Sequence, residues 1–500
     1  MMEKKYQKDC FWFYVLIWMA CLLVYSLTSA FVANDGFWHM AMGRYIYQSG
    51  TVPHTAVGAW GGDVLYWLPQ EWLYELGIYA LFRDNMIGVC AVTVVLIAGI
   101  LFLIGLLAGI HKDIFKKPWA VLLYFLICLF SMQSFIVPRP QSVSLLLMIL
   151  FIYQLRKLFE TGVMRKRDYF LYGLLGIVWA NVHAGTVILS YLIPIGIAIC
   201  YMITDKFQVF QDYFDISHKE KLSHQFSWVA CIMAIACFCT PNGLLGFLYP
   251  IHSMGDGLML SVITEWAQPN INDLQGLVMY YIPFLAFYGW LFFTKQRVKV
   301  FDFAVISFLF VLGVLHLRLV LYLLPVLLLL WAPYLSVYRK FGVMKPWRWV
   351  YTAMLSCICC IMIVFNLRAN TLEFEGYTNQ EFFDIVKDQC GDRMYNYYDL
   401  GSILQYYDIP VFVDARYDPF SEERMPDFVQ TQYADSDSKL LAEIMEKYDF
   451  TSVLDMQDSS VILYAKEHGF EKVAEWNTGN VTKDNAGENV GLVYEFWVKK

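Results

Sequence analysis

Apolar runs long enough to cross a hydrocarbon core recur through the first 370 residues, and no other feature restricts the fold as strongly. The first, "CFWFYVLIWMACLLVYSLTSAFVA", follows the basic stretch "MMEKKYQK". Others lie at approximately 86–110, 119–135, 141–155, 169–182, 186–204, 226–240, 276–294, 301–316, 319–337 and 349–366. A backbone in lipid must satisfy its own hydrogen bonds, so runs of this length and spacing predict helices. Composition agrees: 58% of residues are hydrophobic and only 16% charged, far from a soluble average. The expected class is an α-helical polytopic membrane protein of about 11 spans, with the bilayer as its first partner. The first run exceeds a signal-peptide core and is read as an uncleaved span.

Loop charges set an expected orientation. Lys4, Lys5 and Lys8 place the N-terminus in the cytoplasm, and alternate loops should then be basic. Lys112, Lys116 and Lys117 mark one, and Arg156, Lys157, Arg165, Lys166 and Arg167 the next. Lys206, Lys219 and Lys221, then Lys295, Arg297 and Lys299, then Arg339, Lys340, Lys345 and Arg348 complete the series. Residues 1–369 are thus expected to form the transmembrane domain, and 370–500 an extracytoplasmic α/β domain. The net charge of −7 gathers its acids in that tail, and no nucleic-acid partner is implied. Most of the twelve cysteines sit in apolar runs and the tail holds only Cys390, so no disulfide framework or zinc motif is read.

Within the tail, "RMYNYYDLGSILQYYDIPVFVDARYDPF" predicts a strand, a short helix and a second β-rich run, "PVFVDAR". "SKLLAEIMEKY" has helical periodicity, "FTSVLDM" reads as a strand, and "KVAEWNTG" with "GLVYEFWV" as a closing hairpin.

Orientation by charge places the unusual polar groups on one side. Asp35, His39, Gln70, Glu71, Arg139, Asn181, His183, Asn242, Glu265, His316 and Arg318 all fall at outer ends of spans or in outer loops. A charged group near hydrocarbon costs roughly 2.5–3.5 kcal/mol on insertion scales, so such groups mark a functional cavity. In "ANDGFWHMAMGRY" Asp35 and His39 stand one helical turn apart on one face, with Gly43 continuing it; the competing reading of Asn34 or Asp35 is a helix cap. Glu71 and Trp72 in "LPQEWLYEL" and Glu265 and Trp266 in "ITEWAQPN" pair an acid with an indole, as sugar-contacting sites do, although an acid opening a helix also satisfies the dipole. Arg139 lies between two prolines in "VPRPQS". With His183, His316 and Arg318 it forms a cationic set suited to a lipid phosphate. A snorkelling arginine and a core histidine are the ordinary alternatives.

These stretches resemble the large bacterial membrane glycosyltransferases of the GT-C class, in the branch with the pattern D-x-D-x-W-W-H, G, I-P and H-E-W-L. The matching positions are Ala33, Asp35, Phe37, Trp38, His39, Gly43, Val52, Pro53, Gln70, Glu71, Trp72 and Leu73. The likeness continues through "RPQ", "WANVHAG", "PNG", "EW", "HLR" and "PVFVDARYDPF", and so covers nearly the whole chain in order. The resemblance implies transfer of a sugar from a polyprenyl-phosphate-linked donor to an extracytoplasmic glycan, lipid or protein acceptor at the plasma membrane. Asp35 is the implied catalytic base. Substrate contacts are expected from His39, Glu71, Trp72, Arg139, His183, Glu265, Trp266, His316 and Arg318. Among the departures, Ala33 replaces the first acid, Gln70 a histidine, and Ala415 in "PVFVDAR" the glycine of the branch's strand ending in D-G-R. With one acid lost, no metal ligand and no certain cofactor is assigned; a divalent metal is compatible but not indicated. The alternative is a non-catalytic polysaccharide transporter, flippase or assembly scaffold.

Overall fold

The computed structural model describes residues 34–107, 137–207, 213–215, 222–253, 268–335, 379–483 and 489–500. The chain divides into two compact units: one of Met1–Ser29, Ala91–Ile136 and Pro140–Val364, the other of Ala30–Cys90, Val137–Arg139 and Phe365–Lys500. The segment 34–90 and the arginine at 139 therefore fold with the polar tail. The expected boundary at 369/370 falls outside the described residues.

The helical unit is built from apolar segments whose polar positions are few. Among the described residues, three helices are long and apolar enough to cross a membrane: Gln141–Thr161, Ala184–Lys206 and Leu277–Thr294. A fourth results if the bent pair Trp72–Phe82 and Met86–Leu101 is counted as one crossing, and Leu222–Ala236, Val300–Leu315 and Leu317–Trp331 are shorter apolar helices. Eleven spans were expected; those near the N-terminus, at 119–135 and at 349–366 fall outside the described residues. The Leu277–Thr294 helix is only 22% buried, and Phe292, Phe293, Val311, Ile235 and Met202 are all more than 60% exposed. An apolar surface of this extent is unfavourable in water and natural in lipid. This is a membrane protein.

Polar groups inside this unit hold helices together. Asp302, 1% exposed, receives Arg156 at 3.0 Å and the Tyr334 hydroxyl at 2.6 Å. Asn181 donates through Nδ2 to the Cys239 carbonyl at 2.9 Å, tying its helix to the turn that follows Leu222–Ala236. Gly162 closes Gln141–Thr161 in the left-handed conformation, its N–H returning to Leu158.

The second unit combines the first-loop helices, α1 (Asn34–Ser49) and α2 (Trp72–Phe82), with a four-stranded sheet from the tail. The strands are β1 (Met394–Asn396), β2 (Ser452–Met456), β3 (Phe470–Lys483) and β4 (Asn489–Lys499), in the order β1-β2-β4-β3. The pair β1/β2 is parallel and requires the helical crossover 401–448, whereas β3 and β4 form the expected antiparallel hairpin. Ser438 and Ser459 cap the helices Lys439–Tyr448 and Ser460–Glu467 by accepting from Leu441 and Ile462 N–H.

The run "PVFVDAR" is not a strand of this sheet. Its backbone bonds go elsewhere: Phe412 N–H donates to the Asn396 side chain at 2.7 Å, and Asn396 Nδ2 donates to the Val413 carbonyl at 2.9 Å. Val411 instead pairs with the loop at Gly58–Trp60, accepting from Trp60 N–H at 3.1 Å and donating to the Gly58 carbonyl at 3.0 Å. Trp60 Nε1 donates to the Met394 carbonyl at 3.0 Å, and the Arg424 guanidinium lies 4.2 Å above the Trp60 ring. Loop and tail thus share one core.

Candidate functional site

The site is assembled around α1. Asp35 lies in its first turn, where a carboxylate is favoured by the helix dipole. Its Oδ2 stands 2.7 Å from Arg139 Nε, and both side chains are about four-fifths buried. Pro138 and Pro140 keep Arg139 out of a helix, and Pro138 touches the α1 backbone at Gly36. The sequence placed an acid and a phosphate-suited cation in separate outer segments, and the structure brings these two together.

Asp399 and Tyr398 stand in the same neighbourhood. Asp399 retains exposed surface, yet the protein crowding its carboxyl, together with the Asp35 charge, holds it above the usual carboxylate range. Burial, followed by the charges of Asp35, Asp414 and Asp399, pushes the Tyr398 phenol well up, with Arg139 opposing. Sequence reasoning missed both. Their signal was the acid in "YYDLGS", just ahead of a helix start at Gly401.

One turn beyond Asp35, His39 is sandwiched between two glutamates. His39 Nε2 is 3.6 Å from Glu71 Oε2, and His39 Nδ1 is 3.5 Å from Glu75 Oε1. Side-chain exposures are 2% for His39, 9% for Glu71 and 0% for Glu75. Glu71 occupies the cap position of α2, but its side chain makes no capping bond; it turns to His39 instead. The Trp38 ring lies 3.9 Å from the imidazole, and the Tyr74 ring stands edge-on to it at 5.4 Å. Glu75 escaped the sequence reading, although it lies one turn after Glu71 on the same helical face.

Gly43 makes this approach feasible. A Cβ there would stand 2.1 Å from the Glu75 carbonyl oxygen, so the two backbones touch where α1 crosses α2. Trp38, Ala41, Met42 and Trp67 fill the adjoining core. Beside it Arg416 grips Asp414 with Nε and Nη2, both side chains fully buried, and its guanidinium lies 5.0 Å from the Trp67 ring.

Of the remaining expected site residues, Trp72 opens α2 and is half-buried. His183, Arg318 and His316 belong to the helical unit. His183, 3% exposed, sits between two helices of that unit with its Nδ1 2.9 Å from Ser144 Oγ, an arrangement that accounts for it as a core histidine bonded to a neighbouring helix. Arg318 is within electrostatic reach of His183, and His316 is buried at the junction between Val300–Leu315 and Leu317–Leu335. Glu265 and Trp266 lie outside the described residues.

Among the described residues, His39, Glu71 and Glu75 are the group whose ligand atoms could hold a metal ion, all lying within 4.8 Å of one another.

No protein-family model and no curated protein matches the chain. Solved structures do match. The oligosaccharyltransferase AglB of Archaeoglobus fulgidus, in complex with an inhibitory peptide and a dolichol-phosphate, superposes with a TM-score of 0.54 at 10% identity. The match covers 96% of this chain and 74% of AglB. The oligosaccharyltransferase of the same organism tethered to an acceptor peptide matches at 9% identity, and its apo form at 10%, each with a TM-score of 0.54 and the same coverage. This chain has a GT-C-type fold. At such identity the likeness shows the fold alone, and the activity has to be argued from the site.

Proposed function

We propose that this protein is a lipid-carrier-dependent glycosyltransferase that moves a sugar from a polyprenyl-phosphate donor to an acceptor hydroxyl or amide outside the cytoplasm. The observation that carries the reading is the Asp35–Arg139 pair, an acid and a phosphate-suited cation 2.7 Å apart at the head of α1. The GT-C-type fold supports it, because the archaeal structures bind a dolichol-phosphate and an acceptor peptide. The reading places the chain in the plasma membrane with about eleven spans, the N-terminus in the cytoplasm and the sheet domain outside.

Transfer is a single inverting displacement. The acceptor oxygen or nitrogen forms a bond to the anomeric carbon while the bond from that carbon to the carrier phosphate breaks. The phosphate leaves with the electron pair, and the acceptor proton passes to Asp35. Arg139 offers planar donors to the departing phosphate oxygens, where fixed positive charge lowers the barrier most. Asp399 and Tyr398 border Asp35 and are suited to orient sugar hydroxyls.

The experiment compares lipid-linked sugars and envelope glycans by mass spectrometry in cells carrying wild type, no protein, or Asp35→Asn. A glycan that disappears with the gene and with Asp35→Asn, while its lipid-linked donor accumulates, is the expected result. A glycan that persists in Asp35→Asn cells but vanishes with the gene refutes the assignment of Asp35 and favours the transporter or scaffold alternative.

A further inference from the structure

We propose that His39, Glu71 and Glu75 form a binding site for one divalent transition-metal ion, of the zinc or manganese kind. An imidazole with two carboxylates is a donor set that such ions accept and that softer ions do not favour. In a tetrahedral site with bonds of about 2.0–2.1 Å, neighbouring ligand atoms stand about 3.4 Å apart. Here the carboxylates flank different ring nitrogens, Nε2 at 3.6 Å from Glu71 and Nδ1 at 3.5 Å from Glu75, and one ion takes a single nitrogen, so the ring has to turn for both acids to join it. The three ligand atoms fall within 4.8 Å of one another, so small side-chain rotations would bring them around one centre.

A second observation points to a ligand independently of the clustering. Glu75 is fully buried, and among the described residues neither of its carboxylate oxygens accepts a hydrogen bond. A buried carboxylate left without hydrogen bonds is costly. The Tyr74 hydroxyl beside it is likewise buried without a hydrogen bond among the described residues. Two carboxylates and a neutral imidazole balance the charge of a dication. Trp38 and Tyr74 flank the imidazole ring. Three protein ligands leave at least one coordination position for water or substrate. The site stands one helical turn from Asp35, yet ion binding can be read with no sugar present, so its failure is distinguishable from that of the transfer reading.

The test uses the full-length protein purified in detergent, stripped with a chelator and titrated with Mn²⁺. The expected result is about one equivalent bound, with pulsed electron paramagnetic resonance showing coupling to an imidazole nitrogen. Glu75→Gln, which keeps the volume, should weaken binding on the order of 100-fold, and His39→Ala should remove the nitrogen coupling. Substoichiometric binding by wild type overturns the proposal, as does unchanged affinity in Glu75→Gln or nitrogen coupling that survives in His39→Ala. Should His39→Ala fail to fold, wild type and Glu75→Gln decide the matter, since a wild-type ion without nitrogen coupling also overturns it.

Discussion

Replacing Gly43 with alanine should displace α2 from α1 and open the histidine–carboxylate cluster. The added Cβ would stand 2.1 Å from the Glu75 carbonyl oxygen, 2.7 Å from the carbonyl carbon and 2.9 Å from Tyr79 Cβ. The two nearest atoms are backbone, so no rotamer change relieves the clash. Restoring ordinary contact at about 3.4 Å requires the helices to part by about 1.3 Å, which carries His39 Nδ1 to roughly 5 Å from Glu75. Overpacking of this kind costs about 1–3 kcal/mol, and the rigid partners put Gly43→Ala near the upper end. Gly77 lies in the same α2, and a Cβ added there would meet nothing within 4 Å. Gly77→Ala should therefore be neutral or gain up to about 1 kcal/mol of helix propensity. Thermal unfolding and Mn²⁺ titration of the two detergent-purified variants make the comparison. If Gly43→Ala melts with Gly77→Ala and keeps wild-type Mn²⁺ affinity, the close crossing does not set the site.

Further outcomes follow from buried groups in the second unit. Asp414→Asn leaves the buried Arg416 guanidinium without its counter-charge and should cost about 3–5 kcal/mol in a thermal melt; a smaller loss than an exposed control such as Asp435→Asn would contradict this. Trp60→Ala removes the indole that bonds the Met394 carbonyl and lies under Arg424, and should expose the loop around residues 50–66 to limited proteolysis at a cost of about 3–5 kcal/mol. Burial raises the Asp455 carboxyl to about 7. The native state then retains a proton that the unfolded chain releases near pH 4, so this contribution is full below about pH 4 and is lost as pH rises through 7. A gap of about three pH units is worth on the order of 4 kcal/mol. Melts of wild type from pH 4 to pH 8 should show the decline, and Asp455→Asn should flatten it.

Period and length made the helices legible. The runs at 141–155 and 186–204 became Gln141–Thr161 and Ala184–Lys206, because an apolar segment of that length has only one way to satisfy its backbone in lipid. The hairpin, the strand at 452 and the helix at 439 were equally readable from local alternation and turn residues. The segment "PVFVDAR" was not. Its composition is that of a strand, but whether a strand joins a sheet depends on which backbone is free to pair with it. Here the Asn396 amide and the loop at Gly58–Trp60 take its hydrogen bonds, and both partners are remote in sequence.

The site follows the same division. Asp35 and His39 share a face by helical spacing alone, and Glu71 and Glu75 share another, so each half was available from i, i+4 geometry. What local spacing does not contain is the crossing that presses one face on the other. That crossing depends on Gly43, whose missing side chain lets the Glu75 carbonyl approach the α1 backbone. It depends as well on Trp38 and Trp67, whose rings fill the space beside it. A polar face on a loop helix is solvated when it stands alone. Once a glycine permits backbone contact and two indoles exclude water, the same acids and histidine are driven into one another's fields, where each loses its hydration and must be compensated by a proton or an ion. The functional character of the cluster thus comes from the packing around it, and changing Gly43 should alter its chemistry while leaving every ionisable residue in place.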